Sequence, residues 1–261
     1  MLCDRSENGR VLAQRDQTGL LKYLLLNPAE HFSEVVKQCR SVIVAGGTME
    51  PIAEFQALLT SNSKNEDIVN VVRCEHVVPS DNVLGVCMSR GPTSVSLNFS
   101  YEHRMSNELV LNKFASAVKS KEGEHTGALL LSVVGGKLSE GLNFSDDLGR
   151  CVMVVGMPYP NVKSPELQEK MSYLNKTAGG SAGNIYYENL CMKAVNQCIG
   201  RAVRHANDYA CVLLVDERYS RPQTMSALPS FVQKSLISNC NFGMTIGNVA
   251  KFFARHKENK E

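Results

Sequence analysis

Two arginines and a glutamine carry the sharpest chemical signal in this chain. In residues 196–205, Asn-Gln-Cys-Ile-Gly-Arg-Ala-Val-Arg-His, Gln197, Arg201 and Arg204 stand at i, i+4 and i+7. A continuous helix would project all three from one face. Planar guanidinium forks beside a carboxamide make a donor array suited to phosphate oxygens. Ile199 and Val203 would fall on another face and bury. Gly200 costs a helix interior about 1 kcal/mol relative to alanine, so its presence suggests a close backbone approach. A solvated basic helix face is the competing reading, and this segment alone leaves both open.

Three other segments have chemical potential. In residues 132–144 an apolar run ends in Gly135-Gly136-Lys137 and continues Leu-Ser-Glu-Gly-Leu-Asn-Phe. At a strand's carboxyl end such a turn exposes backbone N–H groups where open α/β sheets bind ligands. It is not a Walker A loop: Leu131 stands where the first glycine is needed, and Leu138 where the serine or threonine is needed. Residues 212–217, Val-Leu-Leu-Val-Asp-Glu, imitate a Walker B strand. Asp216 and Glu217 are equally a plain strand exit to solvent. Residues 42–51 end an apolar run in Gly46-Gly47-Thr48, either a βα turn with a threonine cap or a strand end touching a neighbouring active site.

The elements that must position these residues follow from pattern. Residues 41–46, 128–134, 151–156 and 209–216 are nearly continuous apolar runs, expected of strands buried on both faces of a parallel sheet. Helical patterns span residues 30–39, 51–59 with Thr48 as candidate N-cap, 107–119, 164–175 with proline at the first helical position, and 184–204. Residues 83–89 and 93–99 read as a strand pair across Arg90-Gly91-Pro92. Residues 178–183 read as a flexible loop and 255–261 as a solvated mixed-charge tail. Strands alternating with helices define an α/β layered fold.

Bulk properties set the limits. The 261 residues allow one large domain or two small ones, and 43% hydrophobic with 21% charged residues is an ordinary globular composition. The net charge is only +2, so a nucleic-acid site would have to be a local patch. Nine cysteines include no C-x-x-C pair, which points to buried reduced thiols rather than a disulfide or metal framework. The polar start lacks a signal-peptide core, and no apolar stretch approaches the ~20 residues that span a bilayer.

Taken in order, the segments resemble the iron–sulfur DEAH-type DNA helicases of superfamily 2, the XPD family. Residues 45–51 resemble helicase motif III, residues 136–144 motif V, and Gln197-x-x-Gly-Arg-x-x-Arg204 motif VI. Val-Val-Gly-Gly-Lys before Ser-Glu-Gly, and Asn143 in place of an aspartate, are similar to the Chl-type branch that acts in sister-chromatid cohesion. Residues 27–32, 156–160, 167–171 and 188–194 are similar too, so the resemblance covers nearly the whole chain.

The resemblance implies an α/β fold: a RecA-like, P-loop-type second helicase lobe, with residues 1–60 a remnant of the first lobe and 61–261 the second. It implies that two lobes clamp ATP with Mg²⁺, the second supplying Arg201 and Arg204 as catalytic arginines. Gln197, Glu140, Gly141, Gly47 and Thr48 are then nucleotide-site residues, and Ser139 and Lys137 contacts to nucleic acid. Single-stranded or forked DNA, a first lobe, and cohesion or replication proteins are the implied partners, in the nucleus and away from membranes. Departures weigh equally. This chain has no Walker A loop, no Asp-Glu-Ala-His and no ligands for the family's 4Fe-4S cluster. Near residues 104–127 there is no room for one internal strand–helix unit that the family carries. The expectation is a helicase motor lobe whose turnover belongs to a longer form. The alternatives are a non-catalytic binding or regulatory fragment and an unrelated α/β nucleotide enzyme using Asp216 and Glu217, the last disfavoured by the missing Walker loop.

Overall fold

The computed structural model describes residues 8–14, 19–46, 49–60, 69–99, 109–119, 127–136, 144 and 146–258. In chain order its elements are β1 (Gly9–Gln14), β2 (Leu20–Leu25), α1 (Ala29–Gln38), α2 (Ala53–Thr60), β3 (Val83–Arg90), α3 (Leu109–Lys119), β4 (Cys151–Val155) and α4 (Pro165–Ala178). They continue with α5 (Ala182–Ile199), β5 (Ala210–Val215), α6 (Pro222–Ser226), α7 (Ser230–Gln233), β6 (Leu236–Asn241) and α8 (Phe242–Glu258). Two compact units result: Met1–Arg73 with Tyr159–Cys191, and Cys74–Pro158 with Met192–Glu261.

In the first unit, β1 and β2 form an antiparallel ribbon from Gly9↔Leu25 to Gln14↔Leu20. Helix α4 is fastened to it by ion pairs, Lys22 to Glu166 at 2.7 Å and Arg10 to Glu169 at 3.6 Å, and by the Lys170 ammonium donating to the Leu26 carbonyl. The expected loop over residues 178–183 is instead a tight turn, because α4 runs to Ala178 and α5 begins at Ala182. Gly183 lies inside α5 and lets it approach α4: a Cβ there would sit 2.6 Å from the Met171 carbonyl oxygen. Its N–H donates to the Asn175 side chain at 2.8 Å.

The second unit is built on four parallel strands in the order β4-β5-β3-β6. β5, Ala-Cys-Val-Leu-Leu-Val, is buried at every position, which suits an apolar run flanked by strands on both sides. Cys211, Leu213 and Val215 join Val86, Cys240 and Phe252 in one core cluster, so α8 covers that face. α7 packs on β3 at Gly85, where a Cβ would meet Val232 Cγ1 at 3.0 Å and Leu236 Cδ1 at 3.1 Å. This is the expected α/β parallel layer.

Several expected elements differ. Residues 41–46 and 128–134 form no strand; Ile43 is 88% exposed and Leu129 81%. A run that apolar needs ladder partners and covering helices, and no described residue pairs with either stretch. β4 forms but is an edge strand, leaving Met153 and Val155 exposed. The expected pair to β3 is reduced to one antiparallel bridge, Arg90↔Ser96. α2 begins at Ala53, with the Glu50 carboxylate accepting from the Ile52 N–H at 3.2 Å, while Thr48 lies outside the described residues. Residues 255–258, expected in a solvated tail, belong to α8, and His256 there is buried. None of the eight described cysteines is in a disulfide; Cys87, Cys191, Cys211 and Cys240 are buried as expected, but Cys39, Cys74 and Cys151 are exposed.

Leu214 is fully buried in β5, so Leu214→Ala should lower unfolding free energy by about 2–5 kcal/mol in a urea titration. Met153→Ala on the exposed edge should change it by no more than about 0.5 kcal/mol.

Candidate functional site

The arginine segment begins at the end of α5. Gly200 N–H still donates to the Asn196 carbonyl at 2.9 Å, four residues back. Thereafter Arg201 N–H bonds Cys198 O at 3.3 Å and Ala202 N–H bonds Ile199 O at 3.0 Å, three residues back. The helix tightens and stops, as helix ends do when the last carbonyls are met by shorter-range bonds. Gln197 therefore lies in the last helical turn, while Arg201 and Arg204 lie in the turn beyond it. The single helical face expected for these three residues is not formed. The break falls at Gly200, a weak helix former, and the buried Ala202 and Val203 follow it.

The turn leads into the amino end of β5 and is held there by a buried carboxylate. Asp208 is 1% exposed. Its Oδ2 accepts from the Arg204 N–H at 3.2 Å, and its Oδ1 accepts from the Tyr209 N–H at 3.0 Å and from Arg150 Nη1 at 2.7 Å. Arg150, one residue before β4, also donates to the Tyr209 carbonyl at 2.9 Å and to Asp147 at 3.2 Å. Its guanidinium lies 4.0 Å over the Tyr209 ring. The same ring stacks on His256 at 4.3 Å and 11°. Above this network the Arg204 side chain is exposed, Gln197 is exposed and Arg201 is half-buried. Burial pushes the Cys198 thiol pKa up, and the neighbouring Arg201 guanidinium partly offsets that.

Lys137, Ser139, Glu140, Gly141, Gly47 and Thr48 lie outside the described residues. Of the expected site, the structure describes Gln197, Arg201 and Arg204. Asp208 and Arg150 were not singled out by sequence reasoning. The available signal was Asn207-Asp208-Tyr209, an acidic residue directly before the most apolar strand.

The Walker B imitation has a structural use. Asp216 is fully buried and caps a short 3₁₀ turn. It accepts from the Arg218 guanidinium at 2.7 Å on both carboxylate oxygens, from the Arg218 N–H at 2.9 Å and from the Phe99 N–H at 3.1 Å. Burial alone would raise its pKa, but the Arg218 side chain, then the Arg218 and Phe99 backbone bonds, hold it below the usual carboxylate value. A carboxylate so fully committed does not fit a Mg²⁺ ligand. Among the described residues Asp146, His205 and Asp208 have ligand atoms within 4.8 Å of one another. Asp208 is taken by three donors and the His205 ring meets Asp146 at 3.0 Å, so this trio reads as a hydrogen-bonded cluster. No described helix is long and apolar enough to cross a membrane.

Comparison with known proteins places these features in a family context. The helicase C-terminal domain family matches residues 58–235. The chain is 38% identical to the ATP-dependent DNA helicase DDX11 of Danio rerio over 331 residues, covering 98% of this chain and 37% of that protein. It is 39% identical to DDX11 of Mus musculus, covering 98% of this chain and 36% of the relative. With the ATP-dependent DNA helicase chl1 of Schizosaccharomyces pombe the identity is 35%, over 98% of this chain and 38% of the relative. The chain thus spans little more than a third of these relatives. The zebrafish match runs over 331 residues, more than the 261 of this chain, so the relative carries residues inside the matched span that have no counterpart here.

The stacked His256 has a pH consequence. Burial lowers its pKa from 6.5, the nearby Arg255 and Arg150 lower it further, and a bond to the Asp81 carbonyl partly opposes them. A base whose folded pKa is depressed binds fewer protons folded than unfolded below pH 6.5. Its contribution to stability is therefore full above that pH and falls as the solution is acidified towards the folded pKa. Thermal midpoints measured from pH 7.5 down to 5.5 should drop less steeply for His256→Gln than for the native chain. Parallel slopes would contradict the assignment.

Proposed function

The chain belongs to the helicase C-terminal domain family, and from that premise we propose that it is the second motor lobe of an ATP-dependent DNA helicase. In this reading Arg201 and Arg204 approach the γ-phosphate of ATP held mainly by a first lobe. They stabilise the negative charge that spreads over the phosphoryl oxygens during transfer. Gln197, in the last turn of α5, orients the nucleotide or the arginines. Glu140, Gly141, Gly47 and Thr48 complete the nucleotide side, and Lys137 and Ser139 the DNA side, where most contacts would go to backbone phosphates. Residues 1–60 are the end of the first lobe and 61–261 the second, with the segment missing relative to the longer relatives falling near residues 104–127. The Mg²⁺ that accompanies ATP would be held by the first lobe, because Asp216 here is committed to Arg218. Nuclear action in cohesion and repair belongs to the same reading.

One observation carries this proposal. The exposed Arg204 guanidinium stands on a turn whose backbone is fixed from beneath, which is how a charge-stabilising group is held ready without being consumed in the fold. The share of relatives spanned, 36–38%, favours one other reading: a binding or regulatory fragment without turnover of its own.

Purified alone, the chain should show no DNA-stimulated ATP hydrolysis, since the phosphate loop and DEAH carboxylates are not in its sequence. Robust turnover would sink the half-site reading. Assembled with the preceding portion of a DDX11 relative, the Arg204→Ala chain should lose about 10²–10³-fold in kcat for ATP, while affinity for single-stranded DNA changes less than about threefold. Equal losses of both would mark a plain phosphate-binding surface. An assembly that never hydrolyses ATP with the native chain would favour the regulatory fragment.

A further inference from the structure

We infer that Asp208 is a positioning residue for the arginine turn: through its carboxylate, Arg150 and the sheet set where the Arg204 guanidinium can reach. The inference rests on the reading of Arg201 and Arg204 as charge-stabilising arginines. Asp208 closes its own turn, residues 204–209, and ties that turn to Arg150, 58 residues earlier in the chain. Its Oδ2 holds the Arg204 N–H at 3.2 Å, and its Oδ1 holds the first amide before β5 at 3.0 Å and Arg150 before β4 at 2.7 Å. β4 and β5 are neighbours, paired from Cys151↔Cys211 onward, so the carboxylate spans the amino edge of both.

Arg150 is fixed in turn. The Cys211 N–H donates to its carbonyl at 2.9 Å, its guanidinium donates to Asp147, Asp208 and the Tyr209 carbonyl, and the Tyr209 ring lies 4.0 Å beneath it. From the other side Ala202 and Val203 plug into the core. The backbone at Arg204 is thereby clamped between a buried hydrophobic pair and a buried ion pair, with its side chain left outside. Groups that act only in the transition state depend on such placement, and a misplacement of about 1 Å can cost on the order of 10² in rate.

The prediction separates local positioning from general support. Asp208→Asn keeps the shape and one acceptor oxygen but turns a donor towards a donor. In hydrogen–deuterium exchange of the purified chain, the amides of Arg204 and Tyr209 should exchange at least tenfold faster, while β5 and β6 keep native protection. Unchanged exchange at Arg204 in a folded variant, or a uniform rise through the sheet, overturns the inference. Should Asp208→Asn fail to fold, Arg150→Lys gives the same reading, because it keeps the charge and loses the fork. In the assembled ATPase, Asp208→Asn should lower kcat about 10–100-fold with KM for ATP within about twofold. A loosened turn with unchanged kcat overturns the inference if Arg204→Ala is inactive in the same assay. If Arg204→Ala is also fully active, it is the arginine reading that falls.

Discussion

Asp208 has almost none of its surface in water, so its charge must be met by protein donors, and the way it is met orders the amino edge of the sheet. An uncompensated buried carboxylate would cost several kcal/mol; three donors at 2.7–3.2 Å remove most of that penalty. The consequence is geometric more than energetic. Arg150, the entry to β5 and the turn after α5 are compelled into one arrangement. Tyr209 then contacts both the Arg150 guanidinium and the His256 ring, which carries the constraint to α8.

The sheet supplies the rigidity against which that clamp works. β5 is buried along its whole length and lies between β4 and β3, so its amino end cannot drift. At its carboxyl end a second buried carboxylate, Asp216, does a comparable task with Arg218 and the Phe99 amide. The same strand is thus pinned at both ends by aspartate–arginine pairs. They leave different surroundings: at the amino end the Arg204 side chain is exposed, while at the carboxyl end the 3₁₀ turn Glu217–Ser220 is half-buried, with Tyr219 fully buried. Only the first presents a guanidinium outward on a segment that resembles a helicase motif.

What was legible in the sequence follows from how local each signal is. β5 could be read because six consecutive apolar residues suit a strand covered on both faces, and here β4 and β3 flank it. Residues 41–46 and 128–134 carry the same signal, but burial depends on neighbours, and no described strand pairs with them. The arginine segment was recognisable by residue type, yet its i, i+4, i+7 spacing misled, because the helix stops at Gly200, before the second and third members. Asp208 was invisible for another reason. Its partner Arg150 lies 58 residues away, and no local pattern announces a pair of that separation. Asp216 shows the converse: a motif-like spelling absorbed by a structural ion pair.

The most direct test of the account is where Arg204 stands when the phosphate is in flight. A structure of this chain assembled with a first helicase lobe, trapped with ADP, Mg²⁺ and a planar γ-phosphate mimic, would locate it. The account predicts an Arg204 nitrogen within about 3 Å of an equatorial oxygen of the mimic, with Asp208 still accepting from the Arg204 N–H. An Arg204 side chain turned into solvent more than about 6 Å from the mimic, in a closed and occupied site, would contradict it.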